Sequence, residues 1–199
     1  MSDQRLDAIF KAYDIRGLYP DDLDDDVARR IGNAFVAFTG TALVLMGRDM
    51  RPSSEPLTAA FADGATLAGA DVIDLGLIST DLAYFASGHL DAPAAMFTAS
   101  HNPAQYNGIK LCRAGAAPVG QDTGLAQIRA AVASGLLERA AERGRVEQRD
   151  LLPEYVEHVH SFVDDDELRP LRVVADTANG MGSDVVPAVF AELPFDLSI

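Results

Sequence analysis

Short apolar runs alternate with helical patterns along the chain, and this alternation constrains the fold more than any other feature of the sequence. The run at residues 42–47 is continuous and apolar, as are strands that are buried on both faces, and residues 70–75 and 94–100 are predicted to be the next strands. Between the first two runs, apolar residues recur at helical spacing from Leu57 to Ala68. Strands that alternate with helices predict an α/β domain of three layers, in which helices cover both faces of a mixed, mostly parallel sheet.

Local signals predict where several of these elements begin and end. Five aspartates within residues 21–26 favour the start of a helix over a metal site, because acidic side chains stabilise the positive end of the helix dipole. Gly40 is predicted to end that helix. Ser53 or Ser54 is predicted to cap the next helix, and Gly76 to break the strand that follows.

One strand of the predicted sheet is reversed. A fourth strand is predicted at residues 108–113, and the Asn-Gly pair at 107–108 stands at its start. Asn-Gly is typical of tight turns between antiparallel strands. The pattern therefore predicts that the strands at 94–100 and 108–113 are antiparallel neighbours.

The last quarter of the chain predicts the beginning of a second unit. A break is expected within residues 142–150, which divides the chain into residues 1–150 and residues 151–199. The second part has a strand at 171–176, a glycine-containing turn, a helix and the start of another strand at 195–199. A piece of this size cannot cover both faces of a sheet, so it is expected to be an incomplete second α/β domain.

The charge and the single cysteine restrict the partners and the compartment. The net charge of −14 disfavours nucleic acid as a partner, because a phosphate backbone requires lysine and arginine. Cys112 cannot form an intramolecular disulfide, which favours a reducing compartment. The N-terminus has no secretory pattern, and no apolar run reaches the roughly 20 residues that a membrane helix needs. We therefore expect a cytoplasmic protein with no membrane partner.

The richest chemistry lies in the stretch "TASHNPAQYNGIKL", residues 98–111. Ser100 ends a buried strand, and the carboxyl ends of strands line the ligand crevice in open α/β sheets. His101 is adjacent, and Lys110 follows on the neighbouring strand. A turn explains the same residues, since Ser-His-Asn-Pro is common in loops. A catalytic serine and a plain turn are both compatible with the position alone.

Three arginines at comparable places favour a phosphorylated ligand. Arg16, Arg48 and Arg51 stand near predicted strand ends, and a guanidinium group binds phosphate through two parallel hydrogen bonds. A solvated loop charge is the alternative for each of them.

A serine hydrolase is a weaker interpretation of the same stretch. Ser100 lies between Ala99 and His101, so the G-x-S-x-G nucleophile elbow is absent. An immediately adjacent histidine also rarely reaches its neighbour's oxygen when the backbone is extended.

Four stretches in order resemble the α-D-phosphohexomutases, the family of phosphomannomutases and phosphoglucomutases. "TASHNPAQYNGIKL" is similar to the active-site serine loop of that family, and "FKAYDIRG" at residues 10–17 to its N-terminal signature. "GRDMRPSS" at residues 47–54 and "LRVVADTANGMG" at residues 171–182 resemble its next loop and the opening of its second domain. The residues of the serine-loop motif resemble those of the bacterial phosphomannomutase/phosphoglucomutase branch, with phosphoglucosamine mutase as an alternative.

The resemblance implies a mechanism and a set of site residues. Ser100 would be a phosphoserine that interconverts hexose 1-phosphate and hexose 6-phosphate through a hexose bisphosphate, with hexose 1,6-bisphosphate as activator. Mg²⁺ would bind an oxygen of the Ser100 phosphate, and His101 and Lys110 would assist catalysis at the same mouth. The residues implied to contact substrate or phosphate are Tyr13, Arg16, Arg48, Arg51 and Asn102.

The sequence also departs from the family pattern. The metal loop of the family has the form D-G-D-x-D-R, and no Asp-Gly-Asp occurs here; the acidic stretches at 24–26 and 164–166 lack the glycine. The C-terminal domains of the family, which recognise the sugar and its phosphate, are also missing. The chain is therefore expected to be an N-terminal fragment that is inactive in isolation. The alternative is a non-catalytic module that binds sugar phosphates or associates with other chains.

Overall fold

The computed structural model describes residues 3–164 and 168–199. Its helices are α1 (Asp3–Ile9), α2 (Asp25–Thr39), α3 (Ser54–Leu67), α4 (Thr80–His89), α5 (Leu125–Ser134), α6 (Leu152–His160) and α7 (Gly182–Phe190). Its strands are β1 (Ile15–Leu18), β2 (Leu43–Arg48), β3 (Asp71–Leu77), β4 (Ala94–Phe97), β5 (Tyr106–Arg113), β6 (Ala117–Pro118), β7 (Val146–Gln148), β8 (Leu171–Val174) and β9 (Phe195–Ser198).

Seven of the described strands form one mixed sheet. Its order is β1-β5-β4-β2-β3-β7, and β6 pairs with the outer part of β5. Strands β4, β2, β3 and β7 are parallel, whereas β5 is antiparallel to both of its neighbours β1 and β4. The predicted mixed, mostly parallel sheet with one reversed strand is confirmed.

Helices cover both faces of this sheet, which gives the three predicted layers. On one face, α2, α3 and α5 pack over a core that includes Phe61 and Phe97, whose ring centroids are 5.4 Å apart in an edge-to-face arrangement. On the other face, α4 packs over a smaller core that includes Met96 and Cys112. Successive side chains of a strand point to opposite faces of the sheet, so they pack against different helical layers.

The acidic run at residues 21–26 begins a helix, as predicted. The Asp24 carboxylate accepts a hydrogen bond from the backbone N–H of Val27 and caps α2. Gly40 ends the same helix in the left-handed conformation, with φ of 63°. In the other acidic stretch, 164–166, residues 165 and 166 lie outside the described part of the chain.

The predicted serine cap of α3 is wrong. Ser53 precedes the helix but makes no capping hydrogen bond with its side chain, and Ser54 donates its hydroxyl to Asp49 at 2.9 Å. Both hydroxyls instead accept hydrogen bonds from the Asn107 side-chain amide, at 2.9 and 3.0 Å. The two serines therefore join α3 to β5.

The Asn-Gly pair at 107–108 is not a turn, although β4 and β5 are antiparallel neighbours as predicted. Both residues lie inside β5, and the connection from β4 is the longer stretch 98–105, which we call the serine loop. Gly108 is required there because a Cβ atom would collide with the carbonyl oxygens of Ile15 and Thr98 on the flanking chains. The absence of a side chain at this glycine allows three backbones to approach closely.

Two features of β3 and its edge were not predicted. The predicted strand break at Gly76 is wrong: the strand continues through Gly76, which adopts a φ of 69° at an irregularity in the pairing with β2. The break expected within residues 142–150 contains β7, which adds an edge strand to the same sheet. The division of the chain at residue 150 stays a prediction.

The C-terminal part forms the predicted strand, helix and strand. β8 and β9 pair in parallel, and α7 connects them. Within this unit the apolar side chains of Leu171 and Val174 are exposed by 54% and 83%. A ring nitrogen of His160 in α6 lies 2.7 Å from the Val189 carbonyl oxygen in α7, which links the unit to the helix before it.

None of the helices in the described ranges 3–164 and 168–199 has the length and apolar composition needed to cross a bilayer.

Candidate active site

Ser100 lies at the carboxyl end of β4 in a left-handed backbone conformation. Its φ is 56°, an uncommon value for a residue other than glycine. The Ser100 backbone N–H donates to the Thr98 hydroxyl at 2.9 Å, which fixes this turn, and the Ser100 residue is exposed. Left-handed residues cost roughly 1–2 kcal/mol. The loop therefore holds a hydroxyl outward in a conformation that its surroundings must stabilise.

Arg51 supplies much of that stabilisation. Its Nη2 donates to the carbonyl oxygens of Ser100 and Asn102 at 2.7 Å each, and its Nη1 donates to those of Pro103 and Tyr106 at 2.8 and 3.0 Å. These four acceptors follow the whole turn of the serine loop. One guanidinium group therefore satisfies a row of carbonyls that the loop cannot pair by itself.

Asp49 is the ion-pair partner of Arg51. Its carboxylate accepts from Arg51 Nε at 3.1 Å, and both side chains are less than a tenth exposed. It also accepts from the Arg51 backbone N–H and the Ser54 hydroxyl. A guanidinium group has five N–H donors, and all five of Arg51 are now used. In this structure the Arg51 guanidinium group holds the serine loop, and its predicted role as a phosphate ligand stays a prediction.

His101 reaches the Ser100 hydroxyl, contrary to the argument from an extended backbone. Its Nδ1 lies 3.4 Å from Ser100 Oγ. The expectation failed because Ser100 is left-handed, and this turn brings the neighbouring ring back beside the hydroxyl. The separation is at the long end for a hydrogen bond, so the ring is adjacent to the oxygen without being tightly bound to it.

Arg16 and Lys110 share one carboxylate on the neighbouring strands. Arg16 Nη2 lies 2.6 Å from Asp14 Oδ2, and Lys110 Nζ lies 3.5 Å from the same oxygen. In the ladder, Arg16 is opposite Gly108, and Lys110 is opposite Met96. Directly opposite residues and alternate residues along a strand share a face, so both cations lie on the face that carries Met96 and Thr98.

An open cavity of about 660 Å³ lies against the serine loop. Met96, Thr98 and Ser100 line it from β4 and the loop, and Thr80 lines it from the start of α4. Residues 177–181, between β8 and α7, line it from the C-terminal unit. The cavity therefore collects the carboxyl end of a sheet strand, a helix start and the loop of a second strand-helix unit, as ligand sites in α/β proteins do.

Residues 7–139 match the family model described as phosphoglucomutase/phosphomannomutase, alpha/beta/alpha domain I. The chain belongs to the phosphoglucomutase/phosphomannomutase family. It is similar to the "Phosphohexose mutases" protein of Xanthomonas campestris pv. campestris, with 42% identity over 94% of this chain and 42% of that protein. It is also similar to the phosphomannomutase of Escherichia coli, with 40% identity over 92% of this chain and 41% of that protein.

A solved structure of the family has the same fold. The phosphoglucomutase/phosphomannomutase family protein of Burkholderia thailandensis aligns with a TM-score of 0.87 and 34% identity, over 100% of this chain and 44% of that one. The chain therefore spans less than half the length of these relatives.

Tyr13, Arg16, Arg48 and Lys110 are predicted site residues that are not among the described residues lining the Ser100 cavity. Arg48 is the one that lies on the opposite face of the sheet. It is opposite Phe97 in the ladder, so it lies on the face that α3 covers, and Met96 lies on the other. Arg48 lines a separate groove with Glu55, Thr58 and other residues of α3 and β7. Arg48 does lie at the end of a strand, as predicted. Successive side chains of a strand point to opposite faces, however, and the Arg48 side chain is on the face opposite to the Ser100 cavity.

Tyr13 and Asn102 take different places near the family serine loop. Tyr13 is 83% exposed and lies beside Gly120, and the described contacts do not include the cavity. Asn102 lines the cavity, but its side-chain amide donates to the Ala99 carbonyl at 3.1 Å and closes the turn. Roles in substrate contact stay predictions for Tyr13, Arg16, Asn102, His101 and Lys110.

The described residues do not by themselves fit a complete Mg²⁺ site. In residues 3–164 and 168–199, no group of three or more histidine, cysteine, aspartate or glutamate side chains is arranged to hold a metal ion. Mg²⁺ usually draws on one or two carboxylates together with phosphate oxygens. Ser100 could contribute one ligand through a phosphate.

Several site residues were missed by the sequence analysis of this family member. Asp14, Thr98 and Asn107 each hold a residue of the site through a side-chain contact. Asp14 lies two residues before Arg16 and directly before β1, a strand too short to show a pattern. Tyr84 of α4 faces the same side of the sheet; burial raises its pKa most, followed by the charges of Cys112, Asp81 and Asp14. Burial also raises the pKa of the Cys112 thiol, which therefore stays protonated and unreactive.

Proposed function

We propose that this chain is the serine-bearing part of a phosphohexomutase of the phosphomannomutase/phosphoglucomutase type. The whole enzyme would interconvert hexose 1-phosphate and hexose 6-phosphate. The observation that carries the proposal is the exposed Ser100 hydroxyl at a cavity of about 660 Å³, in a chain that belongs to the family. The printed names of the relatives, phosphomannomutase and phosphohexose mutases, support this class of substrate.

Ser100 would pass the phosphoryl group. Its Oγ attacks one phosphorus atom of hexose 1,6-bisphosphate, so that an Oγ–P bond forms and the bond from phosphorus to the sugar oxygen breaks. The serine proton leaves to a base, and the sugar oxygen takes up a proton. His101 Nδ1, 3.4 Å from Oγ, is in reach of the serine proton. In the other direction the Ser100 phosphate passes to the free 6-hydroxyl of a hexose 1-phosphate, so that a new sugar O–P bond forms and the Oγ–P bond breaks. The bisphosphate formed in this way then returns its 1-phosphate to Ser100, and hexose 6-phosphate is released.

Charge neutralisation would come from the cations on the sheet face. The transferring phosphoryl group spreads negative charge over its oxygens, and positioning and electrostatics provide most of the catalysis. Lys110 and Arg16 are the cations on that face, and Lys110 would also serve as a general acid or base. Arg51 would act indirectly, because its five donors already hold the loop.

Mg²⁺ is the cofactor of this proposal. An oxygen of the Ser100 phosphate would be one of its ligands, and the ion would neutralise phosphoryl charge when it is bound. The remaining ligands would come from the parts of the relatives that this chain does not span. The sugar and its far phosphate would also contact those parts, so we propose little steady mutase turnover by the 199-residue chain alone, below the roughly 1–10³ s⁻¹ of typical enzymes.

A reducing, cytoplasmic location belongs to the same proposal, since the one cysteine is free and buried. The alternative function is a module that binds hexose phosphates without transfer. An amino sugar phosphate is the alternative substrate.

The test is the first transfer, measured in a single turnover. Purified chain is mixed with Mg²⁺ and a small excess of hexose 1,6-bisphosphate, and the released hexose monophosphate is quantified. We expect release that approaches one molecule per chain. Ser100→Ala should abolish it, and Thr80→Val, which removes a different hydroxyl from the same cavity, should retain it.

Binding without release would support the non-catalytic module. Equal release by the Ser100→Ala variant would contradict the role of Ser100. Parallel reactions with mannose, glucose and glucosamine bisphosphates would compare the substrate classes.

A further inference from the structure

Asp14 lies between the two cations of the sheet face. The Arg16 guanidinium and the Lys110 ammonium approach the same carboxylate oxygen at 2.6 and 3.5 Å. The residues come from two strands that are far apart in sequence, and the pairing of Ile15 with Ile109 brings them side by side. Within the described ranges, these two are the ion pairs of the Asp14 side chain.

The shared carboxylate is more enclosed than an ordinary surface ion pair. The Asp14 side chain is 12% exposed, and those of Arg16 and Lys110 are 26% and 27% exposed. Two cations this close repel each other, and solvent screens them less than it screens exposed charges. A carboxylate between them removes the repulsion and fixes both side chains.

The surroundings of the trio contain few competing charges. On β5, Cys112 lies two residues beyond Lys110 on the same face. On α4, the ionisable side chains towards this region are Tyr84 and Asp81, and the charge of Asp14 contributes to the raised pKa of Tyr84 after burial, Cys112 and Asp81. The Asp14 charge is therefore felt across the layer between sheet and helix.

We propose that Asp14 is a positioning residue that holds Arg16 and Lys110 together on the sheet face that leads to Ser100. Its purpose rests on the proposed function: a phosphoryl group arriving at Ser100 meets two cations that are already in place. Preorganised charges of this kind stabilise a transition state without reorganisation during the reaction. The role differs from that of Arg51, which fixes the backbone beneath the serine.

The lysine content of the chain permits a direct test. The sequence contains two lysines, the exposed Lys11 and Lys110, so one serves as the reference for the other. The folded chain is treated briefly with an amine-acetylating reagent, and peptide mapping gives the ratio of acetylation at Lys110 to that at Lys11. In the wild type we expect a low ratio, because the Lys110 ammonium is held in the ion pair.

Asp14→Asn should raise the ratio severalfold, and Asp14→Glu, which keeps the carboxylate, should restore most of the protection. Asp26→Asn, which breaks the exposed pair with Arg30, is the control and should leave the ratio unchanged. High salt should raise the ratio in the wild type, a readout that needs no variant. An unchanged ratio in folded Asp14→Asn, or a ratio indifferent to salt, would overturn the inference.

A second arm separates this inference from the proposed function. Hexose 1,6-bisphosphate should further protect Lys110 from acetylation in the wild type, and less so in Asp14→Asn. If the ratio responds to Asp14→Asn but the bisphosphate protects neither protein, the positioning role stands and the result counts against the proposed function.

Discussion

At the residue scale, Arg51 and Ser100 have different roles in the serine loop. Ser100 presents a hydroxyl in a left-handed conformation, and Arg51 binds four carbonyl oxygens of the same turn while Asp49 binds its Nε. The backbone strain at Ser100 is therefore balanced by a buried, fully paired guanidinium group. Loss of that group would leave Asp49, which is 5% exposed, without its cation.

Arg51→Met should destabilise the chain by about 3–5 kcal/mol, the range for breaking one partner out of a buried ion pair. It should also make the serine loop a site of proteolytic cleavage. Urea unfolding and limited proteolysis measure the two effects. Arg48→Met is the matched control, because the Arg48 guanidinium has no hydrogen bond or ion pair with the described residues. Equal losses in the two variants would contradict the role given to Arg51.

The residues at the site could be predicted from the sequence better than the role of each one. Ser100, His101 and Lys110 could be singled out because they cluster in one stretch beside a strand end. Arg51 could not be separated from a phosphate ligand, since its acceptors lie about fifty residues away and are backbone atoms. The face on which Arg48 lies could not be predicted, because one residue of strand parity decides it. Its contact with phosphate stays a prediction.

At the element scale, the long buried strands and amphipathic helices were predictable, and the short edge strands were not. β2 and β4 consist mainly of apolar residues, β3 carries Asp71 and Asp74 among apolar residues, and α2 has both an aspartate cap and a glycine stop. β7 has three exposed residues, so nothing in its sequence distinguishes it from a loop. Gly108 was predicted to form a turn. The reason for a glycine at this position is instead tertiary, because two neighbouring chains pass close to it.

Gly108→Ala tests that tertiary reason. The new methyl group would meet the carbonyl oxygens of Ile15 and Thr98, so β1, β5 and β4 would have to separate. We expect a loss of about 1–3 kcal/mol in the free energy of unfolding, as in overpacked cores. Gly88→Ala is the control, because a Cβ there meets no atom within 4 Å in α4, and it should be neutral or stabilising. A tolerated Gly108→Ala would show that the three chains have room.

The start of α2 should depend on pH through Asp24. Burial alone would raise the pKa of Asp24, but hydrogen bonds from the Val27 backbone and Arg5 outweigh it and lower the pKa below its ordinary value of 3.8. A lowered pKa in the folded state means that the stabilisation is complete at neutral pH and is lost as the pH falls below the ordinary range.

Asp24→Asn keeps a capping side chain but removes the charge, so it should cost about 0.3–1 kcal/mol at pH 7. The difference from the wild type should shrink as the pH falls through the lowered folded-state pKa of Asp24, because the carboxylate then takes up a proton and loses its charge. Urea unfolding across this range measures it, and exposed Asp21→Asn is the control. A difference that stays constant with pH would contradict the charge-based account.

At the scale of the whole molecule, the chain combines one three-layer domain with a strand-helix-strand unit that shares the Ser100 cavity. Residues 177–181 line that cavity opposite the serine loop. The order of these parts was predictable from four sequence stretches, whereas their meeting at one cavity required the structure. The account of function therefore depends on one atom, the Ser100 Oγ, receiving a phosphoryl group.

The most direct test is to locate that phosphate. The chain is incubated with Mg²⁺ and hexose 1,6-bisphosphate, and intact mass and peptide mapping then show how many phosphates are bound and where. The account predicts one phosphate on Ser100, absent from Ser100→Ala and retained in Thr80→Val. A phosphate on another residue while Ser100 remains unmodified would contradict it.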